Sequence, residues 1–398
     1  MYIEESIKTK ITDRYDVLVC GGGTAGIAAA LASARLGKRT ALLERQFLLG
    51  GLATAGLITI YLPLCDGMGR QVSFGLAEEL FRLSISEGFE DRYPKNWLDG
   101  IGTRTEKDKR FEVQYNAQMF AILAERLLLK EGVDILYGTY AVGVDMSDGR
   151  IKHVITENKS GRQAIAAGSV VDATGDCDIA HLAGAPTAKF QQGNVLAGWY
   201  YSVGADGYRL NAVGASDIPD EMKTAANQTK PLIDRRFEGL DGKEISEYTV
   251  LSHDATYNHL QRRKQKDPTL LPVTVATVPQ LRMTRKLCGE YEIASDEMHK
   301  YFEDSIGLVS DWRRRGPVYE VPFRTLYSKA VKNLTVAGRC TSVTDGMWDI
   351  MRVIPCCAVT GQAAGVAAAL TDDLTALDVS ILQQKLRDSG VVLHENEL

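Results

Sequence analysis

The chain has 398 residues but only seven cysteines, six histidines and eleven prolines. No two cysteines (20, 65, 177, 288, 340, 356 and 357) form a CxxC pair, which excludes a zinc knuckle or a dithiol redox motif. They are also too few and too scattered for a secreted disulfide framework. Basic residues are outnumbered, 46 against 51, and the net charge of −5 argues against a general nucleic-acid binder. The opening Met-Tyr-Ile-Glu-Glu-Ser-Ile-Lys lacks a basic region followed by an apolar core, so no signal peptide is expected and cytoplasmic is the default. Residues 47–65 are uncharged and long enough to span a bilayer. Their three glycines and one proline, directly after a strand, predict a buried loop and short strand instead of a membrane span.

What is present is a globular composition, 45% hydrophobic and 24% charged, in a chain long enough for two or three domains. Residues 16–44 read as strand, glycine turn, alanine-rich helix and second strand ending in an acid. Gly21 permits the tight turn, Gly23 lets backbone approach a pyrophosphate, and Gly26 lets the helix pack closely on the sheet. The phosphates would rest on the helix N-terminus. Glu44 is placed to accept hydrogen bonds from a ribose, and Gly37 ends the helix. A dinucleotide site is therefore expected.

Apolar spacing predicts helices over 74–87, 115–131, 355–370 and 377–388. Short strands are expected at 133–139, 140–145, 151–156, 163–167, 169–173 and 333–339. Residues 88–112 read as a polar loop broken by Pro94, Gly100 and Gly102. The region 187–329 is mixed and less periodic, so the nucleotide fold is expected to be split by insertions. Gly361 and Gly365 are spaced GxxxG inside a helix, which helix–sheet packing explains.

The Gly21–Gly26 turn, Glu44, Val-Val-Asp-Ala-Thr-Gly-Asp at 170–176 and Asn-Leu-Thr-Val-Ala-Gly-Arg-Cys at 333–340 together resemble the FAD-dependent oxidoreductase family. Within it they look like the glutathione-reductase-type flavoproteins of the fumarate-reductase-like branch. Arg-Val-Ile-Pro-Cys-Cys-Ala-Val-Thr-Gly-Gln-Ala-Ala-Gly at 352–365 is similar to that family's C-terminal flavin helix. The resemblance implies an α/β fold, a split Rossmann-like FAD-binding domain (parallel sheet with a β-meander) from 1–75, 113–186 and 330–398. An inserted α+β substrate domain would come from 76–112 and 187–329.

It further implies that Gly21, Gly23, Thr24, Ala25 and Gly26 cradle the pyrophosphate, with Glu44 on the ribose and Arg45 beside the adenosine. Ala141 would offer backbone to the adenine, and Thr174, Gly175 and Asp176 would form a second turn against the cofactor. Gly51, Gly338, Arg339, Arg352 and Val353 complete the implied FAD contacts. Many relatives end the late strand Gly-Asp where this chain has Gly338-Arg339, so the polar contact there must differ. The helix from Pro355 would direct its N-terminus at the flavin's pyrimidine end, with Arg352 adding positive charge.

No second GxGxxG follows the first, so an NAD(P)H domain is not evident and the electron acceptor or donor stays open. The expected reaction is hydride transfer between flavin N5 and a small organic substrate. The alternatives are a flavin binder without turnover and an NAD-dependent dehydrogenase, and a homo-oligomer is also open. Candidates for the chemistry are His253, Tyr257 and His259 in one polar cluster, Arg282 and Arg285 as a carboxylate clamp, and Cys65 or Asp66 in the loop beneath the flavin. Cys356 and Cys357, at a helix N-terminus, read as small apolar filler, with a reactive thiolate of lowered pKa as the alternative. Arg313, Arg314 and Arg315 read as a solvated loop.

Overall fold

Strand β1 (Lys10–Cys20) feeds through the glycine turn into α1 (Thr24–Arg35), which returns the chain to β2 (Thr40–Glu44). The computed structural model describes residues 3–87, 112–214, 219–220, 223–224 and 230–398, so the expected loop breakers Pro94, Gly100 and Gly102 lie outside the described residues. After β2 come the short β3 (Ile60–Tyr61), α2 (Leu76–Ile85), β4 (Val113–Gln114) and α3 (Ala117–Lys130). Then follow β5 (Asp134–Tyr137), β6 (Tyr140–Ser147), β7 (Arg150–Asn158), β8 (Gly161–Asp172) and α4 (Asp178–Leu182).

The expected strands 163–167 and 169–173 are one continuous strand, β8. Gly168 does not interrupt it: a side chain there would stand 2.8 Å from the Asp16 carbonyl oxygen of β1, so glycine permits close strand approach.

The central sheet has seven strands, six in the order β5-β2-β1-β8-β7-β6 and a seventh, β16 (residues 334–336), paired with β8 off that path. β8 pairs with the antiparallel β7 along its first half and with the parallel β16 along its last three residues. β5, β2, β1, β8 and β16 all run parallel, and β6 and β7 form the antiparallel meander. Parallel strands need cover on both faces. Every residue of β2 is accordingly buried, as is α1 from Thr24 to Ser33.

A second layer begins with β9 (Thr187–Lys189), β10 (Gly198–Gly204) and β11 (Gly207–Val213), then α5 (Gly242–Lys264) and β12 (Leu271–Val275). β11, β10 and β12 make a three-stranded sheet. α5 is capped by Asp241 and buries Tyr248, Ser252, Thr256 and Leu260, a four-residue repeat that forms one stripe. The chain returns through β13 (Arg285–Leu287), the hairpin β14 (Ser305–Ser310) and β15 (Val318–Pro322), and β16 (Leu334–Val336). It closes with α6 (Asp345–Met351), α7 (Ile354–Leu370) and α8 (Val379–Asp388). Among the described residues no single helix is long and apolar enough to cross a membrane.

α7 packs on α1, and here the GxxxG expectation needs correction. A Cβ at Gly361 would lie 2.2 Å from the Ala25 carbonyl oxygen, and one at Gly365 would lie 2.1 Å from that of Ala29. The partner of both glycines is therefore the backbone of the first helix, not the sheet. In an ordinary helix Gly→Ala gains about 1 kcal/mol. Gly365→Ala should instead destabilise by about 2 kcal/mol or more through overpacking, read as a lowered thermal midpoint. A raised midpoint would contradict the close packing.

Candidate functional site

The four central parallel strands end at one edge. Cys20–Gly21 after β1, Leu43–Glu44 of β2, Ala173–Thr174 after β8 and Ala337–Gly338 after β16 all line one cavity of about 950 Å³. Ligands of open parallel sheets sit at such carboxyl ends. The apolar loop after β2 forms another wall through Gly50, Gly51, Leu52, Ala53, Ile58 and Ile60, as the sequence led one to expect. It is tied to the glycine turn by the Gly50 N–H, which donates to the Gly22 carbonyl at 2.8 Å.

The three glycines of the turn have different surroundings. A Cβ on Gly21 (φ +105°) would stand 2.4 Å from the Ala173 oxygen, and one on Gly26 would meet the Gly21 oxygen at 1.8 Å. One on Gly23 would meet no atom within 4 Å, although Gly23 lines the cavity. Its backbone (φ −68°, ψ 178°) suits any residue. Gly23 thus leaves open floor that only a bound group would contest.

Two helices start at this cavity, α1 at Gly23 and α7 at Val353, and neither has a side-chain cap. The other six described α-helices each receive a side-chain acceptor in the first turn. Asn116, Asp241, Thr344 and Asp378 cap α3, α5, α6 and α8. Gln362 accepts from the Leu76 N–H of α2, and Asp172 from the Ala180 N–H of α4. Helix N-termini left without a cap are anion seats by geometry and by dipole.

Glu44 lines the cavity and accepts from the Gly22 N–H at 2.9 Å and the Gln46 N–H at 2.7 Å, while burial pushes its carboxyl upward. The second turn is stitched by buried Asp172, which accepts from both the N–H and hydroxyl of Thr174. Arg339 lies 3.6 Å from Asp176, and its Nε is buried without a hydrogen-bond partner. Arg45, Ala141, Gly175, Arg352 and Val353 also line the cavity. Gly26 does not, and its place is in the packing.

The chemistry candidates fare unevenly. Arg282 lines the cavity, buried, with its guanidinium 5.2 Å above the Trp199 ring. Arg285 does not line it: its Nε donates to the Asp176 carbonyl and its Nη2 to Asp178, so it braces the second turn from outside. His253 and Tyr257 are exposed on α5, one residue past the buried stripe, and His259 bonds the Tyr200 hydroxyl at 3.0 Å. None of those three reaches the cavity. Asp66 is sealed off and binds Arg70 at 2.9 Å, and Cys65 is buried beside it outside the lining.

The two thiols are apolar filler and not a reactive pair. Burial pushes Cys356 well up and Cys357 up to about 12, which outweighs the helix terminus and leaves no thiolate. Arg313 is not solvated. It lines the cavity, pairs with buried Asp311 at 2.9 Å, and adjoins Trp312, another lining residue. Sequence reasoning missed Trp199 and Trp312. A usable signal was their rarity, four tryptophans in the chain, together with an adjacent arginine at 313.

The model of the family described as FAD dependent oxidoreductase matches residues 16–267 and 270–386. The chain belongs to that family. FAD is its cofactor, which decides between the flavin and nicotinamide readings. A tRNA uridine 5-carboxymethylaminomethyl modification enzyme of Fusobacterium nucleatum is 31% identical over 137 residues, 32% of this chain and 22% of that protein. This FAD-dependent oxidoreductase thus matches only about a fifth of the modification enzyme's length.

Among solved structures, it is similar to a geranylgeranyl bacteriochlorophyll reductase-like protein of Thermoplasma acidophilum. That match has 15% identity, covers 95% of this chain and 82% of the other, and has a TM-score of 0.47. An L-amino acid deaminase of Proteus myxofaciens matches at 17% identity, 100% and 95% coverage and a TM-score of 0.43. The residues present fit FAD on two counts: the open floor at Gly23 and the two helix N-termini lacking side-chain caps.

Gly23→Ala should fold with an unchanged thermal midpoint in the flavin-free state and bind FAD at least tenfold more weakly, about 1.4 kcal/mol. Calorimetric titration measures the affinity. Wild-type FAD affinity in a folded Gly23→Ala protein would contradict the cradle.

Proposed function

We propose that the enzyme transfers a hydride between FAD and a small organic substrate held under the β10–β12 layer. The observation that carries the reading is the pair of α-helix N-termini, without side-chain caps, meeting in one cavity. Bound FAD supplies the hydride acceptor and donor at N5.

In this reading the chain divides as 1–75, 113–186 and 330–398 for the cofactor, with 76–112 and 187–329 inserted to cover the substrate. Gly21 shapes the turn beneath the pyrophosphate, its N–H held by the Leu43 carbonyl at 2.9 Å, while Gly23, Thr24 and Ala25 bring backbone N–H groups to it, and Glu44 accepts from the ribose. Gly51, Ala141 and the Thr174–Asp176 turn hold the remaining nucleotide surface. Arg339 supplies its buried Nε where many relatives carry an acid. Arg352 and the start of α7 favour negative charge at their end of the cavity.

Arg282 is the proposed substrate contact, since it faces the cavity from the cap layer while Arg285 does not. Ile245, Val278, Pro279, Leu281 and Trp199 make the cap wall apolar, which excludes water and strengthens each charge interaction within. His253, Tyr257 and His259 have no part in the chemistry.

The test is to photoreduce the FAD-loaded protein anaerobically and mix it rapidly with oxygen, quinones or nicotinamide-linked acceptors, then supply candidate donors. Steady turnover with one donor–acceptor pair is expected. A reduced flavin that no acceptor reoxidises, across all donors, would mark a flavin binder without turnover.

A further inference from the structure

Asp349, on α6, is sealed from solvent and faces two arginines from different parts of the chain. Arg352 donates to Oδ1 from Nε at 3.1 Å and from Nη2 as well. Arg313 Nη1 lies 3.5 Å from Oδ2, which makes no hydrogen bond. The backbone of Asp349 is engaged too, since its carbonyl accepts from Trp312 Nε1 at 2.9 Å. Arg313 is fastened a second time by buried Asp311, through Nε at 2.9 Å and Nη2 at 3.1 Å.

The placement has a front and a back. Trp312, Arg313 and Arg352 line the cavity, and neither Asp349 nor Asp311 does. The carboxylates therefore stand behind the guanidiniums. A free arginine side chain samples many rotamers, whereas a carboxylate that engages its planar fork fixes the direction of its remaining donors. Val353 and Ile354, at the start of α7, line the cavity directly after Arg352. The cations and the helix terminus thus share one end of the cavity.

We infer that Asp349 is a positioning residue that aims Arg352, and with it Arg313, at the end of the cavity where α7 begins. This rests on the proposed reading that the reduced, negatively charged flavin is stabilised at that end. The sign of the effect separates positioning from simple charge. Asp349 is itself negative, so if only its charge mattered, neutralising it would favour reduced flavin and raise the FAD potential. If it acts by aiming Arg352, its loss lowers the potential.

The experiment is a spectroscopic redox titration of FAD-loaded wild type, Arg352→Met, Asp349→Asn and the double variant. Arg352→Met should weaken reduced-state stabilisation about tenfold, a potential drop of about 30 mV for the two-electron couple. Asp349→Asn should lower the potential in the same direction, at least threefold in that ratio. Its effect should be smaller in the Arg352→Met background, where only the contact with Arg313 remains to be lost.

A potential that is unchanged or raised in Asp349→Asn overturns the inference. An unchanged potential in Arg352→Met overturns the flavin seat itself, which is a distinct failure. Removing one partner of a buried pair is destabilising. Should Asp349→Asn not load FAD, Asp349→Glu keeps the charge and displaces it by one methylene. A lowered potential there supports the aiming role, and an unchanged one overturns it.

Discussion

Two helix N-termini, those of α1 and α7, present N–H groups without side-chain caps to the same cavity, and most of the architecture serves to bring them there. A helix start kept from water needs an acceptor, or it costs free energy comparable to lost hydrogen bonds. Six other α-helices in the described chain have such acceptors from side chains. Withholding them only where the strands converge leaves the role to a bound anion. For both helices to arrive, α7 must lie against α1 at backbone distance. Gly361 and Gly365 permit that approach, and Gly26 permits α1 to begin directly over Gly21.

At the end of the cavity where α7 begins, side chains add their charge to the helix terminus, and each arginine there whose partner is a carboxylate has that carboxylate behind it: Asp311 and Asp349 for Arg313, Asp349 for Arg352. Buried ion pairs contribute little net stability, since desolvation offsets their attraction. Their use here is in direction. Held from behind, a guanidinium presents its remaining donors forward into an apolar space, where its field is weakly screened.

The nucleotide half was legible because its chemistry is local. Gly21, Gly23, Gly26 and Glu44 fall within one strand–helix–strand unit, and a φ of +105° at Gly21 is a requirement of local backbone geometry, while the floor at Gly23 is left open for a bound group. The cap half was not legible, because its residues meet only through the tertiary fold. His253, Tyr257 and His259 look like a polar cluster in sequence. A stripe repeating at 248, 252, 256 and 260 turns 253 and 257 to solvent, and that stripe is plain only once the helix has a partner. Arg314 and Arg315 are exposed as their sequence suggests, whereas Arg313 looks solvated until buried Asp311 and Asp349 are seen beside it. Burial likewise decides for apolar filler over a reactive thiolate at Cys356 and Cys357, since a terminal dipole is worth less than complete desolvation.

The most direct measurement is the visible spectrum of the purified protein before and after denaturation, with the supernatant resolved by chromatography. The account predicts a flavin spectrum, either present on isolation or restored by incubation with FAD and desalting, and assigned as FAD by its elution. A protein that stays colourless after that incubation would contradict the central claim that the two helix termini and the open floor at Gly23 form a flavin seat.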